Sequence, residues 1–280
     1  MTGDEATARL NASAPVLIAS HPRSGTHLLI DTLRRQFALV DCRKPWGVAS
    51  DHLYVNVERT TSPRRPFDQP TVERILSRST RALVKTHYTA DFGETWSRDE
   101  TAPLPEFARA LVTRCLKIYV HRDPRDVMVS YLQMLASIDD AYRGLSLRAF
   151  MESPHWSGET SRLGWWCAHT EQWLARDDVT AIGFADLTRR TRETIETLGT
   201  HLGEPPLWAE PLLPPKVETV QGARWHRLFF RSPASTAIVA DAERFPAEDW
   251  RTALTADDHS WLEAQAGSLM DRLGYKRWQG

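Results

Sequence analysis

Apolar residues along the chain fall into two kinds of pattern. Residues 16–20 (VLIAS), 82–85 (ALVK), 115–120 (CLKIYV) and 179–184 (VTAIGF) are short runs rich in apolar and β-branched side chains. Runs of this length suit strands covered on both faces, as in a parallel sheet. Helical spacing lies between them. After the first run, Leu29, Ile30, Leu33 and Phe37 share one helical face, while Asp31, Arg34 and Arg35 point elsewhere. After the third, Asp123 is placed as N-cap with Pro124 at the first helical position, and Val127, Met128, Tyr131, Leu132 and Leu135 form the apolar stripe. After the fourth, residues 186–202 read as one helix that Gly203 would stop. Strands alternating with helices predict an α/β fold with a mainly parallel central sheet flanked by helices.

Two stretches read as loops: residues 60–70 (TTSPRRPFDQP), and residues 204–216, which hold five prolines. No internal repeat or composition shift marks a boundary. The expected organisation is a polar tail over residues 1–14 and one domain over 15–280.

Composition narrows the class. The 280 residues are 41% hydrophobic, enough to bury a core without metals or disulfides. Lys and Arg number 35 against 36 Asp and Glu, so no excess positive charge argues for nucleic-acid binding. Cys42, Cys115 and Cys167 form no CxxC pair, which speaks against a disulfide framework or a zinc finger. The apolar runs fall far short of the ~20 residues of a membrane helix, and the N-terminus has no apolar signal core. These features predict a cytoplasmic protein without membrane insertion.

In a parallel α/β sheet, ligands bind beyond the carboxyl ends of the strands. The first predicted strand leads into His21-Pro22-Arg23-Ser24-Gly25-Thr26-His27, the second into Thr86-His87-Tyr88 with Lys85 at its end, and the third into His121-Arg122. Cations, hydroxyls and imidazoles thus converge on one edge, and an anionic ligand follows. Gly25 lets the backbone curl around an anion at a helix N-terminus, Ser24 and Thr26 add hydroxyl donors, and Arg23 adds a guanidinium. The loop does not match GxxxxGK[ST].

Other motifs carry no weight. His121-Arg122-Asp123 and Asp91-Phe92-Gly93 spell the kinase HRD and DFG, but in the wrong order, and Met128 stands where a kinase needs Asn. The histidines include no HExxH, and no carboxylate pair stands beside the loop to hold Mg²⁺, so no metal is expected.

Five segments in order over residues 16 to about 187 resemble the P-loop sulfotransferases, whose donor is 3′-phosphoadenosine 5′-phosphosulfate (PAPS). SHPRSGTHLL resembles that family's 5′-phosphosulfate loop, and VHRDPRDVMVSY its 3′-phosphate segment. Lys85-Thr86-His87 is similar to the KTH motif of the cytosolic branch. GWWCAHTEQW at residues 164–173 resembles its GxWxxHxxxW stretch, and Phe184-Ala185-Asp186-Leu187 its aromatic-x-D-L element. The resemblance implies a single-domain sulfotransferase fold and transfer of a sulfuryl group from PAPS to a hydroxyl or amine of a small-molecule acceptor.

By the same resemblance His87 would be the general base and Lys85 would sit beside the transferring group. Arg23 would stand for the usual lysine at the leaving phosphate. Ser24, Gly25, Thr26 and His27 would line the 5′-phosphosulfate, Arg122 and Ser130 would hold the 3′-phosphate, and Phe184 would pack near the adenine. Trp165 and Trp166 become candidates for acceptor contact. Toward the C-terminus the family's RKG is not matched, and Arg224 or Arg227, around Trp225, would cap the 3′-phosphate. The family's short C-terminal dimer motif is not found, so a homo-oligomer is neither read nor excluded. The alternatives are an ATP- and Mg²⁺-dependent P-loop kinase, and a non-catalytic nucleotide- or anion-binding protein.

Overall fold

The computed structural model describes residues 14–40, 52–61, 67–92, 113–155, 158, 160–211 and 249–279. Its centre is a five-stranded sheet of β1 (Val16–Ser20), β2 (Val55–Asn56), β3 (Leu83–Thr86), β4 (Leu116–His121) and β5 (Val179–Gly183), ordered β2-β3-β1-β4-β5. Every pairing is parallel. Side chains alternate across it, as the pleat demands. Val16 and Ile18 face one way, onto Leu29, Ile30, Leu33 and Phe37 of α1 (Thr26–Gln36). Leu17 and Ala19 face the other way, toward Tyr119 and Trp173. Both faces are therefore buried, which is why the strand sequences run apolar without alternating polarity.

The helical spacing is realised with three differences. β2, only two residues long, was not anticipated, being too short to show a period. Residues 60–70 are not loop throughout: Asp68 caps α3 (Gln69–Leu76), which follows α2 (Val57–Thr61), with its side chain accepting from the Thr71 N–H. Residues 184–202 form two helices, α7 (Phe184–Arg189) and α8 (Thr191–Leu202), parted at Arg190 with φ −118° and ψ 47°. On one unbroken helix Leu187, Ile195, Leu198 and Leu202 would fall within about 80° of each other, so the apolar phase carries straight across the break.

Between β4 and β5 run α4 (Pro124–Ile138), capped by Asp123, then α5 (Leu147–Glu152) and α6 (Arg162–Leu174). After α9 (Trp250–Ala253), α10 (Ala256–Arg272) starts in a Thr255/Asp258 capping box and packs on α6. The chain then returns to the carboxyl edge of the sheet. Arg125 donates to the Lys276 carbonyl at 2.8 Å, and the Tyr275 hydroxyl lies 2.6 Å from Nδ1 of His121.

Candidate active site

The chain leaves β1 at the point where strand order reverses, with β3 on one side and β4 on the other. A crevice for ligand opens at such a switch point. Register decides which residues meet there. Ala19 pairs with Thr86 and Ser20 with Val120, so His87, His21 and the His121-Arg122 pair leave the sheet side by side.

The loop after β1 is built for close approach. Arg23 has φ 69°, the sole positive value on a non-glycine residue among those described, and Gly25 has φ 109°. Strain of this kind on an arginine, worth about 1–3 kcal/mol, persists where surrounding structure imposes it, and it gathers at binding sites. The left-handed Gly25 is the N-cap of α1, with no side chain bonded across the cap. Ser24, between the two, keeps a buried Oγ with no hydrogen-bond partner. Thr26 Oγ1 instead meets Ser20 Oγ at 2.5 Å. Free helix N–H groups, the dipole and a spare hydroxyl together make an anion cradle. Phe184 closes over it: a Cβ on Gly25 would lie 2.5 Å from the Phe184 ring.

Two of the sequence-predicted arginines, Arg23 and Arg122, stand beside this cradle. Arg23 Nε donates to Ser130 Oγ at 3.1 Å from α4, and its Nη1 lies 3.9 Å from Met134 Sδ. Arg122 donates to the Arg23 carbonyl at 3.4 Å and holds its guanidinium 4.4 Å over the Phe184 ring. Burial draws both guanidiniums below the usual range, and Arg122 adds repulsion at Arg23. Asp126 Oδ2, 3.8 Å from Arg122 Nε, offsets part of this charge, and two crowded, partly desolvated cations favour an anion beside them. Arg23, Ser24, Gly25, Arg122, Ser130 and Phe184 are thus brought together, with the Arg23 side chain turned to Ser130.

Across the loop stands the segment after β3. His87 Nδ1 is 2.7 Å from the Ser20 carbonyl, an oxygen that can only accept. The Nδ1 proton is therefore placed, and Nε2 carries the free lone pair. His87 is partly exposed, and its surroundings, then the charge of Lys85, hold its pKa well below the ordinary imidazole value. His27 packs edge-on to Tyr54 at 5.9 Å, and burial, Lys85 and Arg23 push it down to about 3. The buried Lys85 lies 3.7 Å from Glu58 Oε2, and its pKa is lowered by burial against that carboxylate.

Glu58 is the residue that sequence reasoning missed. Its Oε1 accepts from Thr86 Oγ1 at 3.0 Å and, closer still, from the His87 N–H, while its other oxygen faces Lys85. One carboxylate on α2 holds three consecutive residues of the β3 exit. Its only sequence signal is an acid at the start of a short helix, which is too common to read.

The GxWxxHxxxW stretch forms α6. Trp166 is fully buried in the helical core, and Trp173 donates to the Tyr88 carbonyl at 3.0 Å. Trp165 faces the site, its ring 4.7 Å from that of His21 and 4.9 Å from that of His169. Arg224, Trp225 and Arg227 lie outside the described residues. Among those described, no group of three or more His, Cys, Asp or Glu side chains could hold a metal ion, and no helix is long and apolar enough to cross a membrane.

A parallel sheet with an anion cradle at its switch point and an imidazole beside it defines a group-transfer fold for an anionic donor. The sequence matches the sulfotransferase domain family over residues 13–213, and the chain belongs to that family. Its fold is shared with mouse sulfotransferase SULT7A1 complexed with PAP, at a TM-score of 0.51 and 17% identity, covering 96% of this chain and 90% of that one. It is shared also with retinol dehydratase in complex with androsterone and inactive cofactor PAP, at a TM-score of 0.55 and 16% identity over 95% and 84%. A second retinol dehydratase structure, in a complex with retinol and PAP, has a TM-score of 0.53 at 15% identity over 95% and 85%. No curated protein matches the sequence.

Proposed function

We propose that this sulfotransferase moves a sulfuryl group from PAPS to a hydroxyl of a small-molecule acceptor, with His87 as the general base. The observation that carries the reading is the His87 Nδ1 bond to the Ser20 carbonyl, 2.7 Å long, at the mouth of the cradle. It leaves a neutral Nε2 to take the acceptor's proton as its oxygen attacks sulfur. The S–O bond to the 5′-phosphate breaks in line, and charge builds on the leaving phosphate. Backbone N–H groups at the start of α1, with Ser24 and Lys85, stabilise that charge without reorganising. Lys85 also keeps the base unprotonated.

Arg23, Arg122 and Ser130 serve the 3′-phosphate, and Phe184 serves the adenine. Arg23 therefore binds donor here, in place of the role at the leaving phosphate that a lysine in its position would have. The reaction needs no metal, because cations of the chain meet both phosphates. PAP in the related structures supports the donor, and retinol and androsterone support a small acceptor. Residues 15–280 act as one catalytic domain in the cytoplasm, where unpaired thiols such as Cys115 and Cys167 stay reduced.

The test is calorimetric titration with adenosine 3′,5′-bisphosphate beside ATP plus Mg²⁺. The bisphosphate should bind without metal and lose affinity in Arg122→Ala and Ser130→Ala. Binding of ATP alone, dependent on Mg²⁺, would replace this reading with a kinase.

A further inference from the structure

Arg23 meets two side chains of α4. Its Nε donates to Ser130 Oγ at 3.1 Å, and its Nη1 lies 3.9 Å from Sδ of Met134. Ser130 and Met134 are about one helical turn apart, so a single face of α4 holds both ends of the guanidinium. The hydroxyl is a good acceptor and the thioether a weak one. The Nη1 end is thus steadied by a soft contact and keeps most of its hydrogen-bonding capacity for a ligand anion.

Met134 also differs from the other methionines. Met128, Met151 and Met270 are fully buried, while Met134 is partly exposed. Met1 lies outside the described residues. The two described cysteines compete poorly for an oxidant. Burial pushes the thiols of Cys115 and Cys167 up to about 12, so at neutral pH almost no thiolate forms. Among the described residues, the sulfur most open to oxidation is therefore the one that touches a donor-site arginine.

We propose that Met134 is a reversible oxidation site whose sulfoxide lowers affinity for the donor. This rests on the reading that Arg23 serves the 3′-phosphate. A hydroperoxide supplies the oxygen. The thioether sulfur attacks the distal peroxide oxygen, the S–O bond forms and the O–O bond breaks. The proton of the transferred oxygen passes to the departing one, which leaves as water or an alcohol. Sulfur gives up two electrons and the peroxide takes them. The new oxygen carries partial negative charge, and on the Arg23 side it closes the 3.9 Å gap to hydrogen-bond distance. Bonds from a charged donor are among the stronger ones, so the guanidinium is then held on α4 at both ends and withdrawn from the phosphate. A methionine sulfoxide reductase removes the oxygen and returns the soft contact.

Calorimetric titration with adenosine 3′,5′-bisphosphate before and after hydrogen peroxide tests this, with the added oxygen located by peptide mass mapping. The oxygen should be found on Met134, and affinity should fall by at least about 10-fold. Methionine sulfoxide reductase should restore it; oxidised thiols are not its substrates, so recovery separates Met134 from any cysteine. Met134→Leu should bind equally well before and after peroxide. Met134→Gln, which carries a permanent amide oxygen near the same place, should bind weakly without treatment. If the Leu variant does not fold, recovery with the reductase decides. An oxidised Met134 with unchanged affinity, a Met134 that stays reduced while buried methionines react, or an equal peroxide loss in Met134→Leu would overturn the site. The untreated enzyme is titrated first. If it binds no bisphosphate, the donor reading fails and takes this site with it, whereas binding that survives oxidation sinks this site alone.

Discussion

His87 and Ser20, 67 residues apart in the chain, are joined by a bond from Nδ1 to a main-chain carbonyl. A parallel register makes the bond, because Thr86 stands opposite Ala19 and the next residue comes level with Ser20. The partner is backbone, so no side-chain substitution at position 20 removes it. The tautomer of His87 is thus set by the sheet itself.

Replacing His87 by Ala should lower turnover by about 10²- to 10⁴-fold, the usual share of a general base. Affinity for adenosine 3′,5′-bisphosphate should stay within about 2-fold, since Lys85 and the cradle remain. Steady-state kinetics and calorimetry on one preparation check both halves. Unchanged turnover would remove His87 from the mechanism.

Glu58→Ala leaves the buried Lys85 ammonium without its counter-charge and frees Thr86 and His87. Breaking such a pair from one side costs about 3 kcal/mol when both partners are buried, and less here because Glu58 is partly exposed. The double variant Glu58→Leu, Lys85→Met should recover stability in urea titrations while remaining inactive. Recovery of activity with stability would make Glu58 merely structural.

Gly25→Ala meets two obstacles, a φ of 109° and the Phe184 ring at 2.5 Å. Donor affinity should fall by at least about 10-fold, as a displaced ring and loop would cost more than 1.4 kcal/mol. Adding Phe184→Ala relieves the clash but not the backbone strain, so it should restore stability only in part. Thermal melts of the single and double variants separate the two contributions.

Arg23 and Ser130 share a hydrogen bond, so their truncations should be non-additive in donor binding. Each should reduce the preference for adenosine 3′,5′-bisphosphate over adenosine 5′-monophosphate. Additive losses, or an intact preference, would place the 3′-phosphate elsewhere.

Acid should unfold the protein earlier than its net charge suggests. His27 and His169 titrate near 3 when folded and near 6.5 when unfolded, so the unfolded chain binds more protons between those values. Stability contributed by keeping them neutral is complete above pH 6.5 and is lost as pH falls toward 3, by up to about 1.4 kcal/mol per pH unit for each. Urea midpoints at pH 7.5, 6 and 5 should drop progressively. A flat profile would mean that these rings gain access to water.

Legibility followed sequence distance. β1 and the helices starting at Thr26 and Pro124 are local patterns, and Arg23, Ser24, Gly25 and Arg122 could be named as candidates because they lie in the segments that leave β1 and β4. Glu58 was invisible, as its partners lie 28 and 29 residues away and meet it only through the β2–β3 pairing. Nor could the unmatched Nε2 atom of His21 be foreseen, since a missing partner is a property of packing. The break at Arg190 left the apolar phase untouched, so periodicity could not reveal it.

Contacts across the cradle join residues far apart in the chain: Arg23 to Ser130 over 107 positions, Arg122 to Arg23 over 99. No short stretch of the polypeptide can assemble these by itself. With the donor roles proposed above, donor affinity is a late event in folding, acquired only after β3 and β4 have docked on either side of β1. A nascent chain still lacking α4 would present the glycine loop with Arg23 deprived of its Ser130 partner, and on that proposal it could not yet hold the donor.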